Sequence, residues 1–134
     1  MKNRILFMAA LFIVGTATYS FKILGNEPWV VPDKYVKMAN PVKSDAKTIS
    51  AGKKLFIKYC EDCHGKKGLG DGTKAPDLKT QPKDLTTATF QSQSDGSIFY
   101  KISEGRGDMP KSKKDITDPE DIWTVVNFVR TLKK

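Results

Sequence analysis

Hydrophobic residues recur at helical spacing in three stretches of this 134-residue chain, and the polar residues between them set where each stretch stops. Gly52, Leu55, Phe56 and Tyr59 share one side of a predicted helix that starts near Thr48, with Lys53, Lys54 and Lys58 on the other side. Ser44, Thr48 and Ser50 are its candidate caps. A shorter helix is predicted from Asp95 to Ser103. Ser94 or Asp95 caps it, Ile98, Phe99 and Ile102 form its apolar side, and Gly105 ends it. The last helix has the clearest signals. Asp118 stands at the N-cap, Pro119 at the first helical position, and Ile122, Val125, Val126, Val129 and Leu132 make one apolar stripe. Arg130, Lys133 and Lys134 suit the negative end of its dipole.

The segments between these helices read as loops. Pro28, Pro32 and Pro41 rule out a continuous helix over residues 26–43, which is predicted as an extended strap whose Trp29 and Val30-Val31 lie on the domain. Glycines at 65, 68, 70 and 72 break regular structure, so the stretch from Lys66 to Asp84 is predicted as loop. They form no phosphate-binding pattern, and close passage of backbone past a flat group is reason enough for them. No segment alternates strongly and none repeats. The expected fold is all-α with long loops: a domain at 46–134, a proline-containing extended segment at 21–45, and a leader at 1–20.

The leader has Lys2 and Arg4 before an apolar run from Ile5 to Val14, then small residues at Gly15-Thr16-Ala17, the pattern of an export signal. Uncharged sequence continues to Phe21, at the lower length limit of a membrane span. Two outcomes stay open: cleavage, or retention of residues 5–21 as an inner-membrane anchor. Both place the domain outside the cytoplasm. The chain carries a net charge of +8, of which the leader contributes two. The lysines are scattered, with pairs at Lys53-Lys54 and Lys66-Lys67, a placement that suits acidic partner proteins and gives no sign of nucleic-acid binding.

Chemistry concentrates in Cys60-Glu61-Asp62-Cys63-His64, because C-x-x-C-H is the pattern of covalent haem c attachment. Each thiol can add across a vinyl group of the porphyrin, and His64 offers a nitrogen to iron. Zinc is disfavoured: it needs four ligands, and the chain holds two cysteines and one histidine. A thiol redox site is disfavoured as well, since Glu61 and Asp62 would raise a thiol pKa. With a single histidine, bis-histidine ligation within the chain is impossible. Met109, in Gly105-Arg106-Gly107-Asp108-Met109-Pro110, is the candidate second ligand on a turn-forming loop. Met38, in the strap, reads more naturally as a packing residue. A haem ligated on both sides leaves no position for a small-molecule substrate, so electron transfer is expected and enzyme activity is not.

At residues 46 to 133 the chain resembles the class I cytochrome c family. Beside Cys60, Cys63, His64 and Met109, it has Gly52 and Phe56 eight and four residues before the first cysteine, where that family has its helix-crossing glycine and aromatic. Val125 and Phe128 match their usual partners on the last helix. The resemblance implies a cytochrome c fold around one covalent haem. It also implies a proline whose carbonyl accepts a hydrogen bond from the ligand histidine; Pro76 fits that place, and Pro82 is a rival. Thr73 departs from the family's usual proline. The first expectation for function is a periplasmic carrier between a quinol-oxidising complex and a terminal oxidase or reductase, in keeping with the basic surface. A haem subunit or tethered relay of a larger complex is the alternative, and a gas or redox sensor the third reading.

Overall fold

In the computed structural model, which describes residues 28–134, Asp45 rather than Ser44, Thr48 or Ser50 opens the first long helix. The leader at 1–20, and the anchor reading of residues 5–21, lie outside the described residues. The Asp45 carboxylate accepts from the N–H groups of Lys47 and Thr48, both at 3.0 Å, while the Asp45 N–H donates to the Thr48 hydroxyl at 3.1 Å. Thr48 is thus the third residue of a capping box. A carboxylate cap satisfies two amide donors at the positive end of the dipole, which a hydroxyl does less well.

The described chain forms six α-helices: α1 Asp33–Val36, α2 Ala46–Tyr59, α3 Glu61–His64, α4 Ala88–Gln91, α5 Asp95–Glu104 and α6 Pro119–Arg130. Its only β feature among the described residues is an isolated bridge between Arg106 and Met109. The all-α expectation holds.

The crossing of α2 over α6 organises the fold. A Cβ at position 52 would overlap the Thr124 carbonyl and come within 3.0 Å of Val125 N, so only glycine lets the two backbones meet there. One turn on, the Phe56 and Phe128 rings tilt against each other at 5.2 Å between centroids. Both α6 signals hold, with the Asp118 carboxylate accepting from the Glu120 N–H at 2.9 Å and Pro119 starting the helix. Burial on α6 goes beyond the apolar stripe to Trp123, Thr124, Asn127 and Phe128. Trp123 is covered by a second layer, where α5 stacks Phe99 on it at 4.1 Å, while Thr124 and Phe128 face α2 and Asn127 faces the strap. Arg130 does more than face the helix dipole, since it pairs with Asp95 at 2.7 Å and donates to the Gln91 carbonyl at 2.7 Å.

The strap forms the third layer, and it departs from a fully extended course. The Pro32 carbonyl accepts from the Tyr35 and Val36 N–H groups, making the single turn α1. Proline sits just ahead of that turn, where its missing N–H costs nothing. Tyr35 packs on Tyr100 at 4.8 Å. Asn40 donates to the buried Asn127 at 2.8 Å, and Asn127 in turn donates to the Val42 and Lys43 carbonyls at 3.3 Å. Val30 is 79% exposed, so of the apolar trio only Trp29 and Val31 lie partly against the domain. The one-turn α4 was not expected, because four residues are too few to show a period.

Candidate functional site

Helix α2 ends at Cys60, whose extended-leaning φ of −122° breaks the helix before the single turn α3 begins. The N–H groups of Cys63 and His64 donate to the Cys60 carbonyl at 3.2 and 2.9 Å. Both thiols therefore sit on one turn, half-buried and unpaired with each other. Burial pushes the Cys60 thiol up to about 12, with the neighbouring Cys63 adding to it. The cause differs from the one expected from sequence, where Glu61 and Asp62 were held responsible. The conclusion is the same: a thiol so hard to ionise is poorly suited to disulfide exchange.

His64 is also largely buried, and desolvation holds its imidazole below the ordinary value against an opposing backbone hydrogen bond at Lys83. A neutral ring is the form that can ligate a metal. Its Nδ1 and the Glu61 Oε2 are buried without a hydrogen-bond partner. Orphaned polar atoms in the motif itself fit a group that the side chains await.

The loop after α3 is built to close that turn. The N–H groups of Gly70, Gly72 and Lys74 donate to the carbonyls of His64, Cys63 and Asp62 at 2.8, 3.2 and 2.7 Å. These are the carbonyls that a helix C-terminus leaves without partners. A side chain at position 72 would overlap the Asp62 carbonyl. Gly72 thus lets the backbone approach the motif's own main chain, while Gly70 meets the Pro82 carbonyl. Outside this wrap, Lys74 pairs with Asp62 at 2.7 Å on the surface.

Pro76 lies exposed in a short 3-10 turn, Ala75–Asp77, whose Ala75 carbonyl accepts from the Gln81 side chain at 3.0 Å. The backbone beside His64 belongs to Lys83, next to the rival Pro82. Sequence spacing could not choose between two prolines on one loop. The loop returns to the core beyond both prolines, where the Leu85 N–H donates to the Gly68 carbonyl at 2.7 Å and Leu85 is buried.

Met109 is half-buried and packs against the same hydrophobic cluster as Cys60. It closes a tight turn with Arg106, and Asp108 on that turn accepts from the Thr80 N–H at 3.0 Å. Asp108 and Thr80 gave no sequence signal, because the bond joins distant loops. Met38 is 38% exposed and lies over Gly96 at the start of α5, in a packing position.

An all-α shell with two free thiols and a largely buried histidine on one turn has the features of a c-type cytochrome domain. Comparison with known proteins agrees. The family described as cytochrome c oxidase, cbb3-type, subunit III matches residues 47–129. The chain belongs to this family of c-type cytochrome domains. Such domains carry haem c covalently, and Cys60 and Cys63 stand at the tether spacing.

Among solved structures, the chain is 29% identical, with a TM-score of 0.64, to part of a Kuenenia stuttgartiensis reducing HAO-like protein complex, Kustc0457/Kustc0458. That match covers 81% of this chain and 52% of the other, so the chain spans about half that structure's length. A structure described as the KustC0563 c-type cytochrome is 32% identical over 62% of this chain and 98% of its own, with a TM-score of 0.51. Cytochrome cL of Methylophaga aminisulfidivorans shares the fold at 24% identity and a TM-score of 0.57, covering 85% of this chain and 72% of its own. No curated protein matches the chain.

Proposed function

We propose that this c-type cytochrome holds one haem through Cys60 and Cys63, ligates its iron with His64 and Met109, and passes single electrons outside the cytoplasm. The observation that carries this reading is the shared core: Cys60, on the turn that also bears Cys63 and His64, and Met109 both pack against the one hydrophobic cluster. Bound haem supplies a one-electron couple exchanged at the ring edge.

The chain's own residues do the rest. Burial favours the unprotonated His64 ring, and a backbone acceptor on the following loop, at Pro76 or in the Pro82-Lys83 segment, would orient it. With haem bound, Met109 and His64 as ligands would favour the ferrous state and so raise the potential relative to two histidines. The α2–α6 crossing fixes the base of the motif turn. Scattered lysines suit acidic surfaces on a quinol-oxidising donor and a terminal oxidase or reductase.

Export rests on the leader at 1–20. Among the described residues no helix is long and apolar enough to cross a membrane, so an inner-membrane anchor would have to come from residues 5–21. A second reading, a haem subunit of a larger complex, draws support from the complex that contains the Kuenenia relative.

Expression with haem-maturation factors tests the central reading. A mass increase of one haem and a methionine–iron charge-transfer band are expected, and Met109→Ala should abolish the band and open ferrous iron to carbon monoxide. An unchanged spectrum in that variant would remove Met109 as ligand. Elution as a stable heteromer after mild detergent extraction would favour the subunit reading over the free carrier.

A further inference from the structure

Met109 sits on a four-residue turn that closes on itself, with the Arg106 N–H donating to the Met109 carbonyl at 2.9 Å and the Met109 N–H to the Arg106 carbonyl at 3.1 Å. Contacts with distant segments tie the turn to the rest of the molecule. Asp108 fastens one side to Thr80. On the other side the Arg106 guanidinium lies 4.8 Å from the centroid of the Trp29 ring, which belongs to the strap. Lys101 of α5 approaches the same ring at 5.6 Å and donates to the Gln93 side chain.

Two cations converging on one indole need an explanation, because like charges repel. Desolvation, and after it the Arg106 charge, hold Lys101 below its ordinary value. The negative face of the indole offsets that repulsion and makes the pairing tolerable. The strap, α5 and the methionine turn are thereby joined at a single side chain.

We propose that Trp29 is a positioning residue for Met109: it carries Arg106 on its ring and so clamps the Arg106–Met109 turn in the place from which the thioether reaches iron. This rests on the reading of Met109 as the ligand. Trp29 acts through Arg106, and loosening it frees the turn without altering any atom of the methionine.

The holoprotein variants Trp29→Ala, Trp29→Phe and Arg106→Gln test the clamp, with Tyr35→Ala as control. Tyr35 ties the same strap to Phe99 and Tyr100. Two quantities are measured: amide hydrogen exchange at Arg106 and Met109, and imidazole affinity of the ferric haem. Trp29→Ala should speed exchange at both amides and tighten imidazole binding by about two- to fivefold, the loss of the one partly exposed cation–π contact that holds Arg106. Arg106→Gln should move both in the same direction, Trp29→Phe should stay near wild type, and Tyr35→Ala should leave both unchanged. Unaltered exchange and affinity in Trp29→Ala, or equal changes in Tyr35→Ala, would overturn the proposal. Faster exchange with no change in imidazole affinity would refute the positioning role alone. A methionine band that persists in Met109→Ala would refute the ligand reading beneath it.

Discussion

Gly52→Ala puts the α2–α6 crossing to a test whose sign is informative. In an unconstrained helix interior, alanine in place of glycine stabilises by about 1 kcal/mol. At position 52 the new methyl would lie closer than 3.0 Å to both the carbon and the oxygen of the Thr124 carbonyl. Those atoms are backbone of a buried helix and cannot rotate aside. The helices must separate instead, and a gap of about 0.5–1 Å forfeits roughly a quarter to a half of each close contact across it. The Phe56–Phe128 pair, at 5.2 Å, lies one turn from the wedge. Overpacking of this kind costs about 1–3 kcal/mol, and rigid partners on both sides place it at the upper end. Subtracting the helix-propensity gain leaves a net loss of about 2 kcal/mol. For a domain of this size that is a fall in melting temperature of roughly 8 °C or more. Denaturant unfolding of the holoprotein, followed by tryptophan fluorescence and haem absorbance, measures it. A variant as stable as wild type, or more stable, would refute the close crossing.

Three further outcomes follow from the same geometry. Phe128→Ala, at a 7%-exposed site against Phe56, should destabilise by about 3–5 kcal/mol in the same unfolding assay. Asn127→Leu should cost about 1–3 kcal/mol by leaving Asn40 and the Val42 and Lys43 carbonyls without their partner, and limited proteolysis should then cut the strap first. The third concerns acid. Hydrogen bonds hold Asp45 low, from the Thr48 N–H first, and Asp84 low, from the Thr86 hydroxyl first. A depressed carboxylate contributes fully above its unfolded value of about 4 and loses that contribution as pH falls through its folded value. Asp45→Asn keeps a cap but cannot titrate, so its melting temperature should fall less steeply than wild type below about pH 4. Parallel curves would show that Asp45 carries no part of the acid limb.

The three long helices and the haem tether were legible because their signals are local. A cap, a proline and an apolar stripe lie within a few turns of the helix they define, and Cys60, Cys63 and His64 fall on one turn whatever the rest of the chain does. Gly52 and Phe56 were legible through resemblance, and the crossing gave their spacing a physical reason. The choice of Asp45 over three nearby hydroxyl caps needed the geometry of the capping box itself. What only the tertiary structure decided are relations between distant segments. The wrap of loop amides around the carbonyls of the motif turn depends on how residues 66–85 return to the core. The burial that raises Cys60 and lowers His64 depends on neighbours from several elements. The hold on the Met109 turn comes from Thr80 and Trp29, far away in sequence. Local order follows from the chemistry of adjacent residues, whereas desolvation and loop-to-loop contacts exist only once the chain has closed.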